Sequence, residues 1–341
     1  MSQRLRVGVV GLRFGAQVHV PAFRADPRCE VVGIAGRDPA TAAAAARDLG
    51  IPSSSGDWRT LVAEPGVDAI AVAVPPAAQP AILIEAARHG KHLFCEKPLA
   101  ASLDDARGVI AGARVAGVVH AVDFLFPEVS AWRRARALLV EGAIGRPVHA
   151  AYTWRVETYA SRTNAATWKN RPDEGGGALG NFMSHVFYNI EWLLGRVRAM
   201  EGFGSGPATR NGRAADGLVE VDAVQVENGT SGSVPVSVSV STDAFLGVGH
   251  VVEIFGENGT LVLRNSGADY VKGFEVYLGT RRSGGLAQVP CEAASQAGDG
   301  RVAATASLVG RFVDAIHGGD PMVPNLAHAV RVQELLSGVV I

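Results

Sequence analysis

The stretch Gly8-Val9-Val10-Gly11-Leu12-Arg13-Phe14-Gly15-Ala16 holds the first residues whose types and spacing suggest chemistry. It follows a valine-rich apolar run and opens a helical pattern. Free backbone N–H groups and the positive end of a helix at such a place favour a pyrophosphate, and glycines let the chain turn tightly and approach it. Counted from Gly11, the dinucleotide fingerprint asks for glycine two places on, then glycine or alanine three further. Ala16 meets the last requirement. Arg13 stands at the middle one, either folded over the phosphates as a charge partner or marking a dinucleotide held differently. Gly11, Leu12, Arg13, Phe14, Gly15 and Ala16 are thus the phosphate-side candidates. Alone, such a turn is as readily structural; its place between strand and helix is what points to a ligand. The second apolar run ends Ala35-Gly36-Arg37-Asp38. An acidic residue there would take the ribose hydroxyls of NAD. Gly36 and Arg37 instead leave room for a 2′-phosphate and offer it a guanidinium, which favours NADP over NAD. Arg37 stacked on adenine would accept either. Asp38 suits the cap of the next helix.

These residues need a frame, and the first 120 or so residues supply one. Apolar runs at Leu5–Val10, 30–35, 69–74, 92–95 and 118–122 read as strands. Helical patterns at 18–24, 39–49, 80–89 and 102–116 separate them, two closed by Gly50 and Gly90 and the last opened by Ser102. Strands joined by helices of this length pair in parallel with right-handed crossovers. The pattern then changes. Helices are expected at 130–141, 181–194, 305–316 and 326–336, with a strand at 148–156. Residues 219–278 are strand-rich, with valine at every second place from Val234 to Val240 and turn signals at Asn228-Gly229 and Asn258-Gly259. Residues 202–217 and 284–300 read as loops. The expected architecture is an α/β Rossmann domain over 1–123, then an α+β domain over 124–341 with a large, mainly antiparallel open sheet and helices on one face.

Composition sets the class. The 341 residues are 48% hydrophobic and 19% charged, enough for two cores. A formal net charge of -1 argues against a general nucleic-acid or membrane-surface partner. Cys29, Cys95 and Cys291 form no CxxC pair and read as reduced thiols of a cytoplasmic protein. Neither a signal peptide nor a membrane span is expected. His89, His92, His120 and His149 lack metal-ligand spacing, so no metal is assigned. No Gly-x-Ser-x-Gly nucleophile elbow is found.

Gly90-Lys91-His92-Leu93-Phe94-Cys95-Glu96-Lys97-Pro98-Leu99 then resembles the signature of the Gfo/Idh/MocA oxidoreductases, whose mark is the Glu-Lys-Pro tripeptide. The resemblance spans almost the whole chain: Val74-Pro75-Pro76 after the third strand, Gly142-Ala143-Ile144-Gly145, Gly175-Gly176-Gly177-Ala178-Leu179 followed by His185, the run from Val252 to Leu261, and Phe312 to Ile316. It implies hydride transfer to or from a hydroxyl carbon of a sugar, cyclitol or related polyol. It also implies a homodimer or homotetramer packed through the second-domain sheet. Val74, Pro75 and Glu96 would join the cofactor site, with Trp168 and Arg171 closing over it.

Lys97 becomes the candidate acid/base. It lies just past the end of a parallel strand, where ligands bind in such sheets. A partly desolvated ammonium beside a positive ring releases its proton more readily, which suits base chemistry near neutrality. Read alone, Lys97 is equally a surface lysine paired with Glu96. His185 is the second catalytic candidate. Asn181 and His185, four apart on a helix with Tyr188 nearby, would wall the substrate pocket with Lys97 and Arg155. The resemblance often places Asp where Asn181 stands. An amide binds a hydroxyl but takes no proton, so Lys97 or His185 must act without that relay. Two other functions use the same scaffold: redox-assisted glycoside cleavage or epimerisation with tightly held NAD, and an inactive dinucleotide-binding regulator.

Overall fold

The computed structural model describes residues 4–163, 165–204, 208–210, 213–215, 218–227, 233–292 and 298–339. It divides into two compact units, Met1–Leu125 with Arg301–Glu334, and Phe126–Gly300 with Leu335–Ile341.

The strands of the first unit are β1 (Leu5–Val10), β2 (Cys29–Ala35), β3 (Ser53–Ser55), β4 (Ala69–Val72), β5 (His92–Cys95) and β6 (His120–Val122), all but β3 from the expected apolar runs. They form one sheet in the order β3-β2-β1-β4-β5-β6, and every pair is parallel. The helices are α1 (Val20–Arg24), α2 (Pro39–Leu49), α3 (Trp58–Ala63), α4 (Gln79–Arg88) and α5 (Leu103–Ala116). Val7, Val9, Ile34, Ala69, Ala71 and Phe94 are fully buried, as a sheet covered on both faces requires. Asp38 caps α2 by accepting from Thr41 N at 2.7 Å, and Ser102 caps α5 from Asp105 N at 3.1 Å. The sequence reading lacked β3 and α3. Three serines carry no apolar signal, and α3 is too short to show a helical period.

The second unit contains α6 (Ser130–Val140), β7 (Pro147–Arg155), α7 (Tyr159–Thr163), α8 (Ser184–Leu194) and β8 (Arg196–Gly204), then β9 (Ala208–Arg210), β10 (Arg213–Ala215), β11 (Leu218–Glu227), β12 (Ser233–Ser241), β13 (Gly249–Gly256), β14 (Gly259–Asn265), β15 (Glu275–Thr280) and β16 (Ala287–Val289). Its main sheet has eight strands ordered β16-β15-β14-β13-β7-β12-β11-β8. All neighbours are antiparallel except β7 and β12, so the sheet is mixed rather than purely antiparallel. Val234, Val236, Val238 and Val240 point to one face and are buried, while Ser233, Pro235 and Ser237 are exposed on the other. Two expected loops contain strands: 202–217 holds the end of β8 with β9 and β10, and 284–300 holds β16. The expected turn at Asn228-Gly229 lies outside the described residues.

The buried face of this sheet carries an aromatic cluster. His250 stacks on Trp154 with ring centroids 4.3 Å apart, and its Nε2 is hydrogen-bonded to Tyr152 Oη at 2.5 Å. Burial pushes the His250 imidazole down to about 3, so it is neutral in the fold at neutral pH. Unfolding restores a group that protonates near its ordinary 6.5. The unfolded chain therefore binds the extra proton below that pH. Stability from neutral His250 is full above about 6.5 and is lost as pH falls towards about 3, by about 1.4 kcal/mol per pH unit. Urea unfolding between pH 7 and 4 should show this slope, and His250→Gln should flatten it. An equal slope in the variant would assign the acid sensitivity elsewhere.

The chain then returns to the first unit through α9 (Gly300–Ile316) and α10 (Leu326–Ser337). This corrects the boundary read from sequence, which placed everything after residue 123 in the second domain. Leu308, Val309, Phe312 and Val313 are completely buried in one cluster with Val7, Val9, Phe23, Ile34 and Phe94. Phe312 meets Phe94 edge-on at 5.7 Å. An amphipathic helix is placed by the core its stripe fits, and order along the chain does not reveal that core. Among the described residues no helix is long and apolar enough to cross a membrane.

Candidate active site

Strand register brings the first unit's candidate loops to one edge. Val10 pairs with both Ala35 and Val72, and Val72 pairs with Cys95. Gly11, Gly36, Ala73 and Glu96 therefore leave the sheet at the same level, at its carboxyl end. Neighbouring strands lie about 4.8 Å apart, so Gly11 and Glu96 are separated by about 10 Å. That is the edge at which parallel sheets bind ligands.

Gly11 has φ +126°, and a Cβ there would sit 2.2 Å from the Ala73 carbonyl oxygen. Only glycine permits this turn, and the resulting bare backbone is the surface a pyrophosphate needs. A Cβ on Gly15 would lie 3.0 Å from Val9 Cγ1, so the loop also packs close to β1. Gly15–His19 forms a wide turn, with Val20 N donating to Gly15 O, and leads directly into α1. Arg13 is exposed and its carbonyl accepts from Gln17 N at 2.9 Å. The missing middle glycine is thus replaced by a residue with its side chain in solvent. Leu12 lies over Gly36, where a Cβ would meet Leu12 Cδ1 at 2.3 Å. Arg37 is exposed, and the Asp38 carboxylate is engaged in its helix cap. These residues fit a nicotinamide dinucleotide: the Gly11 turn offers bare backbone to the pyrophosphate, and an exposed guanidinium stands just after β2.

Lys97 is half-buried on the loop after β5, and half-buried Val74 and Pro75 follow β4 beside it. A residue absent from the sequence reading holds the Lys97 loop. Gln79, fully buried at the start of α4, donates from Nε2 to the carbonyls of Glu96 at 3.1 Å and Pro98 at 2.9 Å. Its Oε1 accepts from Glu96 N at 3.1 Å. One amide thus braces the backbone on both sides of Lys97. Its sequence signal was slight, an uncharged polar residue four places after Pro75. His19, Asp123 and Thr305 were missed as well. His19 lies with Glu96 Oε1 2.9 Å from its Nε2, and Thr305 Oγ1 donates to Asp123 Oδ2 at 2.9 Å. Burial, then the nearby Glu96 charge, pushes the Asp123 carboxyl well above the usual carboxylate range.

The second unit carries the remaining candidates. The helix expected from 181 starts as a wide turn over Ala178–Met183, and regular α8 begins at Ser184. Asn181, half-buried, sits in that turn, four residues before His185. His185 is 3% exposed and meets Phe126 edge-on at 5.0 Å; Tyr188, one turn on, is 5% exposed. Asn189, four residues after His185, points into the core and donates to Tyr152 Oη at 3.0 Å. Arg155 is not brought to His185. It is exposed and bonds Ser239 Oγ at 2.6 Å on the open face, whereas its neighbour Trp154 is buried on the opposite, His185 side. Arg171 is engaged by Asp173 at 3.0 Å and Glu174 at 2.9 Å. Half-buried Trp168 starts a short turn whose carbonyl would lie 1.9 Å from a Cβ on Gly176. Among the described residues one group has a metal-ligand composition, His19, Glu96 and Asp123, with ligand atoms within 4.8 Å of one another.

Comparison with known proteins gives consistent results. The profile of an oxidoreductase family with an NAD-binding Rossmann fold matches residues 5–124, and that of the GFO/IDH/MocA C-terminal domain matches 132–262. An uncharacterized oxidoreductase of Synechocystis sp. is 28% identical, covering 98% of this chain and 93% of its own. Levoglucosan dehydrogenase of Pseudarthrobacter phenanthrenivorans is 30% identical over 68% of this chain and 67% of its own. A solved structure of levoglucosan dehydrogenase in complex with NADH and levoglucosan superposes with TM-score 0.83 at 23% identity, covering 99% of this chain and 96% of that one.

Proposed function

We propose, from the premise that the chain belongs to the Gfo/Idh/MocA family of NAD-binding oxidoreductases, that it interconverts a hydroxyl and a keto carbon on a sugar, cyclitol or related polyol. Relatives described as levoglucosan dehydrogenase and scyllo-inositol 2-dehydrogenase support that substrate class. The observation that carries the reading is Lys97 braced by Gln79 at the same sheet edge as the bare Gly11 turn. A bound nicotinamide supplies the acceptor or donor of the hydride. Gly11, Leu12, Arg13, Phe14, Gly15 and Ala16 hold the pyrophosphate side, Gly36 and Arg37 the adenosine side, and Val74, Pro75 and Glu96 the nicotinamide side. Trp168 and Arg171 are assigned to the cofactor as well. Lys97 takes the hydroxyl proton in oxidation and returns it in reduction. His185 assists, with Asn181 and Tyr188 binding hydroxyls; Asn181 donates and accepts hydrogen bonds but moves no proton. Free Cys29, Cys95 and Cys291 support a cytoplasmic setting. A homodimer or homotetramer through the open face of the β7–β12–β13 sheet completes the proposal.

Absorbance of NADH and NADPH with a panel of sugars, cyclitols and keto-sugars tests it: turnover with at least one compound is expected. Cofactor binding with no net turnover on any of them would sink the dehydrogenase reading. The cofactor preference is NADP, because Arg37 is exposed beside Gly36 and the Asp38 carboxylate that follows it caps α2. Arg37→Ala is expected to weaken NADPH binding about tenfold, the loss of one charge-assisted pair. NADH binding should change by less than about twofold. Equal losses in fluorescence titrations of the two cofactors would end the argument.

A further inference from the structure

We propose that Asp123, Glu96 and His19 form a buried proton-sharing chain that leaves a single negative charge, on Glu96, beside Lys97. The inference rests on the reading of Lys97 as the proton carrier. His19 and Asp123 are fully buried side chains and that of Glu96 is 13% exposed. Glu96 Oε1 lies 2.9 Å and Asp123 Oδ2 3.8 Å from His19 Nε2. Two carboxyl groups this close in an apolar setting do not both ionise. Asp123 Oδ2 already accepts from Thr305, while its buried Oδ1 meets no hydrogen-bonding atom among the described residues. An ionised Asp123 would leave that oxygen charged and bare. The neutral acid instead has a proton to offer Glu96, whose carboxylate oxygen lies within 4.8 Å of that of Asp123.

His19 fits the same assignment. Its Nε2 faces Glu96, and its buried Nδ1 has no partner among the described residues. A neutral ring with the proton on Nε2 leaves only an acceptor unmatched; a charged ring would bury an orphan N–H. The edges of Phe14 and Phe94 pack against this imidazole at 5.5 and 5.2 Å. Other titratable groups lie around this chain of side chains. Cys95 is a fully buried thiol that burial keeps protonated. Arg301 on α9 lies over the Phe14 ring, 5.2 Å from its centroid. Lys97 acts on Asp123 through its charge, favouring the ionised form that burial and Glu96 oppose. Glu96 is then a positioning residue. Its backbone is fixed by Gln79 and its carboxylate by His19 and Asp123, so the anion beside Lys97 is constant in place and size.

The test reads Lys97 without substrate, so a protein that turns over no sugar still reports on the chain. Competitive acetylation with acetic anhydride, followed by mass spectrometry, gives the pH of half-labelling of Lys97. Glu96→Gln removes the anion that stabilises the ammonium and should lower that pH by about one unit. Asp123→Asn keeps a neutral donor to Glu96 and should move it by less than about half a unit. Infrared spectra of the wild-type protein at pH 7, with and without ¹³C-aspartate, should show a protonated-carboxyl band that shifts with the label and vanishes in Asp123→Asn. Absence of that band, or an unmoved half-labelling pH in Glu96→Gln, would overturn the proposal. So would a wild-type labelling profile that changes with EDTA, which would assign the three residues to a cation.

Discussion

Lys97→Ala should lower kcat on any substrate of this protein by about 10²–10⁴-fold, the usual contribution of a positioned acid/base. The cofactor dissociation constant should stay within about threefold of wild type, because the pyrophosphate and adenosine contacts come from other loops. The Glu96 and Pro98 backbone remains clamped by Gln79, so the loop itself has no reason to collapse. Lys97→Arg should not rescue the rate, since a guanidinium does not release its proton near neutrality. Steady-state rates and fluorescence titrations on the three proteins decide the matter. A lysine-free variant that keeps its kcat would remove Lys97 from the chemistry and leave it a surface charge.

Gly11→Ala should be the most damaging single methyl group in the first unit. Its Cβ would meet the Ala73 carbonyl oxygen at 2.2 Å, backbone against backbone, at φ +126°. Strain at such a φ costs about 1–3 kcal/mol by itself. Relief would require β1 and β4 to part at the point where Ala73 N donates to Val10 O. Dinucleotide affinity should fall about 100-fold, or about 2.7 kcal/mol. Thermal unfolding should show a stability loss of about 2–4 kcal/mol. Gly50→Ala serves as the control: it shares a left-handed φ of +61° but has open space around it. Its cost should be about 1 kcal/mol with no effect on cofactor binding. Equal behaviour of the two variants would mean that the Gly11 turn is not the phosphate surface.

What the sequence made legible follows from how each feature is encoded. Valine runs ending in Gly11, Gly36 and Pro75 announce buried parallel strands with loops at one edge, because hydrophobic period and chain breakers are local properties. Lys97 was reachable because three adjacent residues carry a family signature. Gln79, His19 and Asp123 were not, since their roles arise from three separate strand ends and helices meeting at one level. Arg155 illustrates the opposite error. It is one residue from Trp154, and a step of one along a strand turns a side chain to the other face. The wide turn that carries Asn181 was not legible either, because no residue type marks such a turn. The return of α9 to the first core was hidden because its stripe of Leu308, Phe312 and Val313 would suit any core.

That return has a consequence for how the chain is made. During synthesis, residues 1–125 emerge long before 301–334, yet the nascent first domain still lacks Leu308, Val309, Phe312 and Val313. Burying each is worth about 1.5–3 kcal/mol, together comparable with the whole stability of about 5–15 kcal/mol of an ordinary domain. Phe94 thus waits without its Phe312 partner while some 175 intervening residues are translated (126 to 300), a window in which a chaperone has a greasy surface to hold.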